Sequence, residues 1–206
     1  MNDSQIVLSP ITCPYTVLID TREQSPWLFT GLHANASRGS RPLVVPVQRQ
    51  CLGNGLGDYS ILGHEPQRIP GPGDASTAAV PRISIERKSV ADCIGTILGF
   101  GDGHRERFEA ELRNLAEIVA TGGSACVIVE GSLRDVLWSV EARGTRPADA
   151  LRKTLFRSIV AYQQDCPGVP WWFADDRRLA EVVAFRWLDR FARQQWKKVE
   201  DTKGAN

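Results

Sequence analysis

Glu86, Arg87 and Lys88 follow directly on Ile83-Ser84-Ile85, an apolar-polar-apolar alternation. A period of two predicts a short strand, on which residues two apart share a side. Glu86 and Lys88 therefore project together and Arg87 projects the other way. A carboxylate beside an ammonium at a strand end suits a divalent cation and an oxyanion. The carboxylate can hold a hard metal, and the ammonium can offset negative charge developing on the oxyanion. Charged triplets at strand ends are also common as solvated or salt-bridged faces, so the company this one keeps has to decide. Ser89, with Asp92 three residues on, has capping-box spacing and predicts a helix that starts at once.

Two more carboxylates stand at predicted strand ends. Asp20 closes the β-branched run Tyr15–Ile19, and Asp58 opens Asp58–Leu62. If neighbouring strands bring Asp58 and Glu86 together, they form an oxygen site suited to Mg²⁺ or Mn²⁺, with Asp20 as a third carboxylate. Magnesium takes few carboxylates, keeps waters and accepts phosphate oxygens, so a phosphodiester is the natural ligand. Lys88 would then orient hydroxide or offset charge at the scissile phosphate. The three histidines, His33, His64 and His104, fall in predicted loops or at a helix start and are not expected to act as a base.

The elements that must position these groups follow from the rest of the chain. Residues 1–14 form a polar lead-in and 30–42 a loop. Leu43–Val47 continues as a strand, with Pro46 favouring an edge or a bulge. Residues 53–57 make a turn, and a Pro/Gly-rich link runs from Pro66 to Gly73. With the central strand over 82–87, the first part reads as a β-meander. Helical spacing then marks 90–98 and 104–119, separated by Gly99, Gly101 and Gly103. Ala125–Val129 is an apolar strand covered on both faces and ending in Glu130. Helices over 132–141, 148–165 and 176–195 and a strand over 169–174 complete one α/β domain, residues 15–195, with a mixed central sheet flanked by helices. Residues 196–206 form a polar tail. In Trp171-Trp172, core packing is expected for at least one ring, with base stacking the alternative.

With 25 Lys and Arg against 24 Asp and Glu, the chain carries a formal charge of +1, so any basic surface for nucleic acid is local. Five scattered cysteines without a CxxC pair argue against a zinc site, and the odd count argues against a full disulfide framework. No apolar run approaches a membrane span and no secretory leader is apparent, so a cytoplasmic protein without a membrane partner is expected.

Gly57-Asp58, a spacer, Glu86-Arg87-Lys88 and, after three further residues, Asp92 resemble the signature of the XPF-type structure-specific nucleases: G-D, a variable spacer, then E-R-K-x-x-x-D. Ile19-Asp20-Thr-Arg-Glu-Gln24, Gly57–Ile61, Arg105-Glu-Arg-Phe-Glu109 and Val127-Ile-Val-Glu130 follow in the family's order, so the resemblance spans about residues 15–195. It implies a restriction-endonuclease-like fold and Mg²⁺- or Mn²⁺-dependent hydrolysis of DNA, at branched or flapped structures, in repair, recombination or replication. Asp20, Asp58 and Glu86 would be the acidic, metal-holding residues and Lys88 the catalytic lysine. Arg87, Asp92, Arg22 and Glu130 would support them. For Asp92 helix capping is the alternative, for Glu130 a plain strand-end charge. Arg22 would touch phosphate or pair with a site carboxylate. Arg105 and Arg107 would grip the DNA backbone or form a solvated helix face.

Family members with a tandem helix-hairpin-helix module use it to bind DNA and to dimerise. These 206 residues hold no such module, which looks more like the compact bacterial or phage form, nucleoid-associated in that case. A homodimer or a partner protein is then expected to supply specificity. The alternatives are a non-catalytic DNA-binding or scaffold subunit and a Holliday-junction resolvase-like nuclease.

Overall fold

The computed structural model describes residues 9–34, 40–53, 55–65 and 82–204. In chain order the strands are β1 (Ile11–Thr12), β2 (Val17–Asp20), β3 (Leu43–Val44), β4 (Val47–Gln50), β5 (Tyr59–Ile61), β6 (Ile83–Ser89), β7 (Ser124–Glu130) and β8 (Trp171–Ala174). The helices are α1 (Val90–Ile97), α2 (His104–Ala120), α3 (Leu133–Trp138), α4 (Ala148–Asp165) and α5 (Arg177–Gly204). Six strands build one mixed sheet in the order β4-β2-β5-β6-β7-β8, and β1 with β3 forms a separate two-stranded ribbon. The chain is therefore α/β, with a mixed central sheet flanked by helices.

Alternation along β6 sorts the sheet's two faces. Ile83 and Ile85 join Cys126 and Ile128 of β7 in a core with Trp27, Phe29 and α5. Ala180, Ala184 and Leu188 recur every four residues on α5, so one helical stripe, small at two positions, lies against the sheet. On the opposite face Val127 and Val129 pack with Cys93 and Ile97 of α1, with Phe108, Leu112 and Leu115 of α2, and with α4. β7 is buried on both faces, as its unbroken apolar run predicts. Ser84, Glu86 and Lys88 point to the side that α1 and α2 cover. Arg87 points to the side of Trp27 and α5.

Four features differ from expectation. The first strands are not a meander: β4 runs parallel to β2 at the sheet edge, and β5 pairs antiparallel with β2 on its other side. The strand expected from Leu43 is split at Pro46, which has no N–H for a ladder: β3 pairs with β1, and β4 enters the main sheet. The lead-in thus contributes a strand of its own. The last helix continues to Gly204 instead of ending near 195, with Leu188, Phe191, Ala192 and Gln195 still buried along it. The link expected over 66–73 lies outside the described residues.

Trp171 is buried against Phe108 and Tyr162, whereas Trp172 is 44% exposed and meets Trp187 edge-on. All five cysteines are free. Among the described residues no helix is long and apolar enough to cross a membrane.

Candidate active site

Tyr59 on β5 pairs with Ile85 on β6 in antiparallel register. The ladder ends there, and Asp58, just before β5, lines the same cleft as Glu86, whose charge acts on it. Gly57 makes the approach possible. Its φ is +82°, and a Cβ there would lie 2.2 Å from Ser84 Oγ and 3.0 Å from the Ile85 carbonyl oxygen. The Asp58 N–H donates to Ile85 O at 2.8 Å, and its Oδ2 accepts the Arg87 backbone N–H at 2.8 Å. The Gly-Asp pair therefore locks one carboxylate onto the end of the central strand.

Lys88 lies on the same side, with Nζ 2.5 Å from Glu86 Oε1. A third carboxylate arrives from α2: Glu111 Oε2 is 3.7 Å from the same Nζ, which also sits 4.8 Å from the centre of the Phe108 ring. These residues line two adjoining cavities of about 640 and 690 Å³ that share Arg22, Gly55, Lys88 and Glu111. Asp58, Glu86, Ser89 and Asp92 line the first; His104, Arg107 and Asn114 line the second.

Three carboxylates against one ammonium leave the cluster with surplus negative charge. Burial and the neighbouring Glu86 push the Asp58 carboxyl well above the carboxylate range. Burial, then Glu86, push Glu111 up to about 9, with Lys88 opposing. Burial works against the Lys88 charge, but Glu86 and Glu111 outweigh it and hold the ammonium above its ordinary range. Glu86 is 3% exposed, and its Oε2 is buried with no hydrogen-bond partner. An orphaned carboxylate oxygen beside a second carboxylate fits a hard cation, which suits Mg²⁺ or Mn²⁺ held by two carboxylates and completed by water and phosphate oxygens. Among the described residues no group of three or more His, Cys, Asp or Glu side chains is arranged to hold a metal ion.

Asp20 stands in the same row, its N–H bonded to Asp58 O, but its carboxylate is already satisfied. Oδ1 accepts the Arg22 backbone N–H and Nε, and Oδ2 accepts Arg22 Nη2 and the Leu52 N–H, all at 2.8–2.9 Å. Burial alone would raise its pKa, yet these donors hold it below the usual value. Asp20 therefore fixes Arg22 and the 50–53 turn, and Arg22 faces both cavities. Arg22 thus pairs with the Asp20 carboxylate and, half-exposed, also borders both cavities.

Arg87 and Glu130 meet on the other face. Arg87 gives a bidentate pair to Glu130 (Nε–Oε1 2.8 Å, Nη2–Oε2 2.7 Å) and reaches Glu23 at 3.2 Å. Trp27 Nε1 and Arg177 Nη1 also donate to Glu130 Oε1, each at 2.7 Å. This buried network ties the 20–27 segment, β6, β7 and the start of α5 beneath the cleft. Asp92 takes part in the cap of α1: Ser89 Oγ accepts the Asp92 N–H and donates to Asp92 Oδ2 at 2.7 Å. Arg105 is paired with Glu109 at 2.9 Å and lines neither cavity, whereas Arg107 lines the second.

Sequence reasoning missed Glu111, Glu23, Trp27 and Arg177. Glu111 lies beside the apolar stripe Phe108-Leu112-Leu115, three residues from Phe108, which was the only signal that it borders the sheet. Compared with protein-family models, curated proteins and solved structures, the chain matches none.

Proposed function

We propose that this chain is a Mg²⁺- or Mn²⁺-dependent endonuclease that hydrolyses DNA phosphodiester bonds at branched or flapped structures, on a restriction-endonuclease-like fold. One observation carries this reading: Asp58, tied to the Arg87 N–H, and Glu86, one residue before Arg87, line one open polar cleft with Lys88 bound to Glu86 in its wall. Asp58 and Glu86 would hold the cation, and the orphaned Glu86 Oε2 is the atom best placed to accept it. When bound, the cation supplies Lewis-acid polarisation and a water of lowered pKa.

The chain's own residues do the rest. The Lys88 ammonium faces the space where a phosphate would lie and offsets the charge that develops on its oxygens. Arg22 and Arg107 border the two cavities and attract the phosphates on either side. Arg87, tied to Glu130 and Glu23, holds the strand end rigid; its backbone N–H fixes Asp58. The choice of branched DNA is supported by the resemblance of Gly57-Asp58 and Glu86–Asp92 to the structure-specific nucleases, and a homodimer or partner protein is proposed to sharpen it.

A second reading, a DNA-binding subunit without activity, is favoured by Asp20. All its acceptor positions are taken by Arg22 and backbone amides, so one acid of the expected set is not offered to the cleft. A labelled panel (flap, splayed arm, four-way junction, duplex, single strand) with Mg²⁺ or EDTA separates the two. Metal-dependent cutting confined to branched substrates and lost in Asp58→Ala is the expected result. Binding of the same DNAs without cutting supports the non-catalytic subunit.

A further inference from the structure

Glu86 has two positive claims on it. Lys88 Nζ sits 2.5 Å from its Oε1, and its Oε2 is buried without a donor in the wall of the cleft. A divalent cation at Glu86 would draw the carboxylate's charge away from Lys88 and repel the ammonium across a short, poorly screened distance. Lysine is a point charge on a flexible four-carbon stem, so an ammonium with a weakened partner swings toward water. Something else must hold it.

Two groups are in place to do so, and both come from α2. Glu111 Oε2 is 3.7 Å from Lys88 Nζ, a loose contact that can tighten, and the Phe108 ring centre is 4.8 Å from it. Phe108 and Glu111 are three residues apart and so share a helix face. We infer that Glu111 is a positioning residue for Lys88, which with Phe108 keeps the ammonium in the cleft when Glu86 is drawn onto a divalent cation. The cation between Asp58 and Glu86 belongs to the nuclease reading, and the role of Glu111 rests on that reading. Glu111 touches both partners of this pair: its Oε2 lies 3.7 Å from the ammonium, and its carboxyl is in hydrogen-bond reach of Glu86.

The ¹H–¹⁵N resonance of the Lys88 ammonium tests this, because a held ammonium exchanges its protons slowly and a free one does not. Full-length wild type and Glu111→Gln are titrated with Mg²⁺ alone, and the signal is assigned by its loss in Lys88→Met. In wild type the signal persists at saturating Mg²⁺. In Glu111→Gln it survives without Mg²⁺, held by Glu86, and is lost when Mg²⁺ is added. Equal persistence in both proteins at saturating Mg²⁺ overturns the role of Glu111 and leaves the cation site standing. Absence of any Mg²⁺-induced shift at the Asp58 and Glu86 amides overturns the site reading itself, and the inference with it.

A second readout does not depend on that resonance. At saturating Mg²⁺, Glu111→Gln lowers kcat on flap DNA about tenfold with KM little changed. The double variant with Lys88→Ala is no slower than Lys88→Ala alone. If extra Mg²⁺ restores kcat in Glu111→Gln, Glu111 is a metal ligand and the positioning role is wrong.

Discussion

Lys88 and the three carboxylates Asp58, Glu86 and Glu111 set the behaviour of single residues. Lys88→Ala should keep the fold and Mg²⁺ binding yet lower single-turnover cleavage about 10²–10³-fold, the usual cost of losing one donor to a developing oxyanion. Glu111 gives a pH signature. Its folded-state pKa of about 9 lies above its ordinary value of 4.5, so the native state binds the proton more tightly than the unfolded chain does. The stability this proton supplies is complete below about pH 4.5 and is lost as pH rises through about 9. Thermal melts in EDTA should therefore decline over that range, by at most about 1.4 kcal/mol per pH unit from this group. Glu111→Gln should flatten the decline. Mg²⁺ affinity should rise with pH, because cation and proton compete for Asp58, whose carboxyl burial and Glu86 push well above the carboxylate range.

At the scale of elements, the β5–β6 pair and the ion network beneath it do the positioning. Gly57→Ala should lower stability and activity together: the residue sits at φ +82°, and its new methyl would meet Ser84 Oγ and the β6 backbone. A Tm drop with a parallel loss of cleavage is the expected pair of measurements. Glu130→Gln should cost about 3 kcal/mol, or roughly 10 °C in Tm, because it leaves the buried Arg87 with a weakened partner.

Much of this was legible in the sequence. Ile83-Ser84-Ile85 showed that Glu86 and Lys88 share a side, and the apolar run of β7 showed a strand covered twice. Residues 53–57 showed a turn ahead of Asp58, though not the close approach of Gly57 to Ser84. Other features depended on tertiary contacts that no local pattern carries. Whether β4 pairs with β2, and on which side, is decided by the sheet as a whole. Asp20 reads as a site acid from its place at a strand end, and only the return of Arg22 and Leu52 shows it to be satisfied. Glu111 looks like one more surface charge on an amphipathic helix until α2 is packed against β6.

Across the whole molecule, the sheet separates two tasks. One face, with Trp27 and α5, is an apolar core closed at its end by the Arg87–Glu130–Glu23 network. The other face opens at the ends of β5 and β6 into the polar cleft. A formal charge of +1 leaves DNA attraction to local cations such as Arg22 and Arg107. Binding to branched DNA should therefore weaken steeply with salt, and Arg107→Ala should reduce that slope by about one charge, as read by fluorescence anisotropy from low to physiological salt.

Single-turnover cleavage of one end-labelled flap substrate, by wild type and by Asp58→Ala at saturating Mn²⁺, decides whether this cleft hydrolyses DNA. Wild type should make a discrete cut that EDTA abolishes, and Asp58→Ala, which folds and binds the DNA equally well, should make none. Cleavage by both proteins at the same rate would contradict this expectation, because the hydrolysis would then not depend on the Asp58 carboxylate that shares the cleft with Glu86.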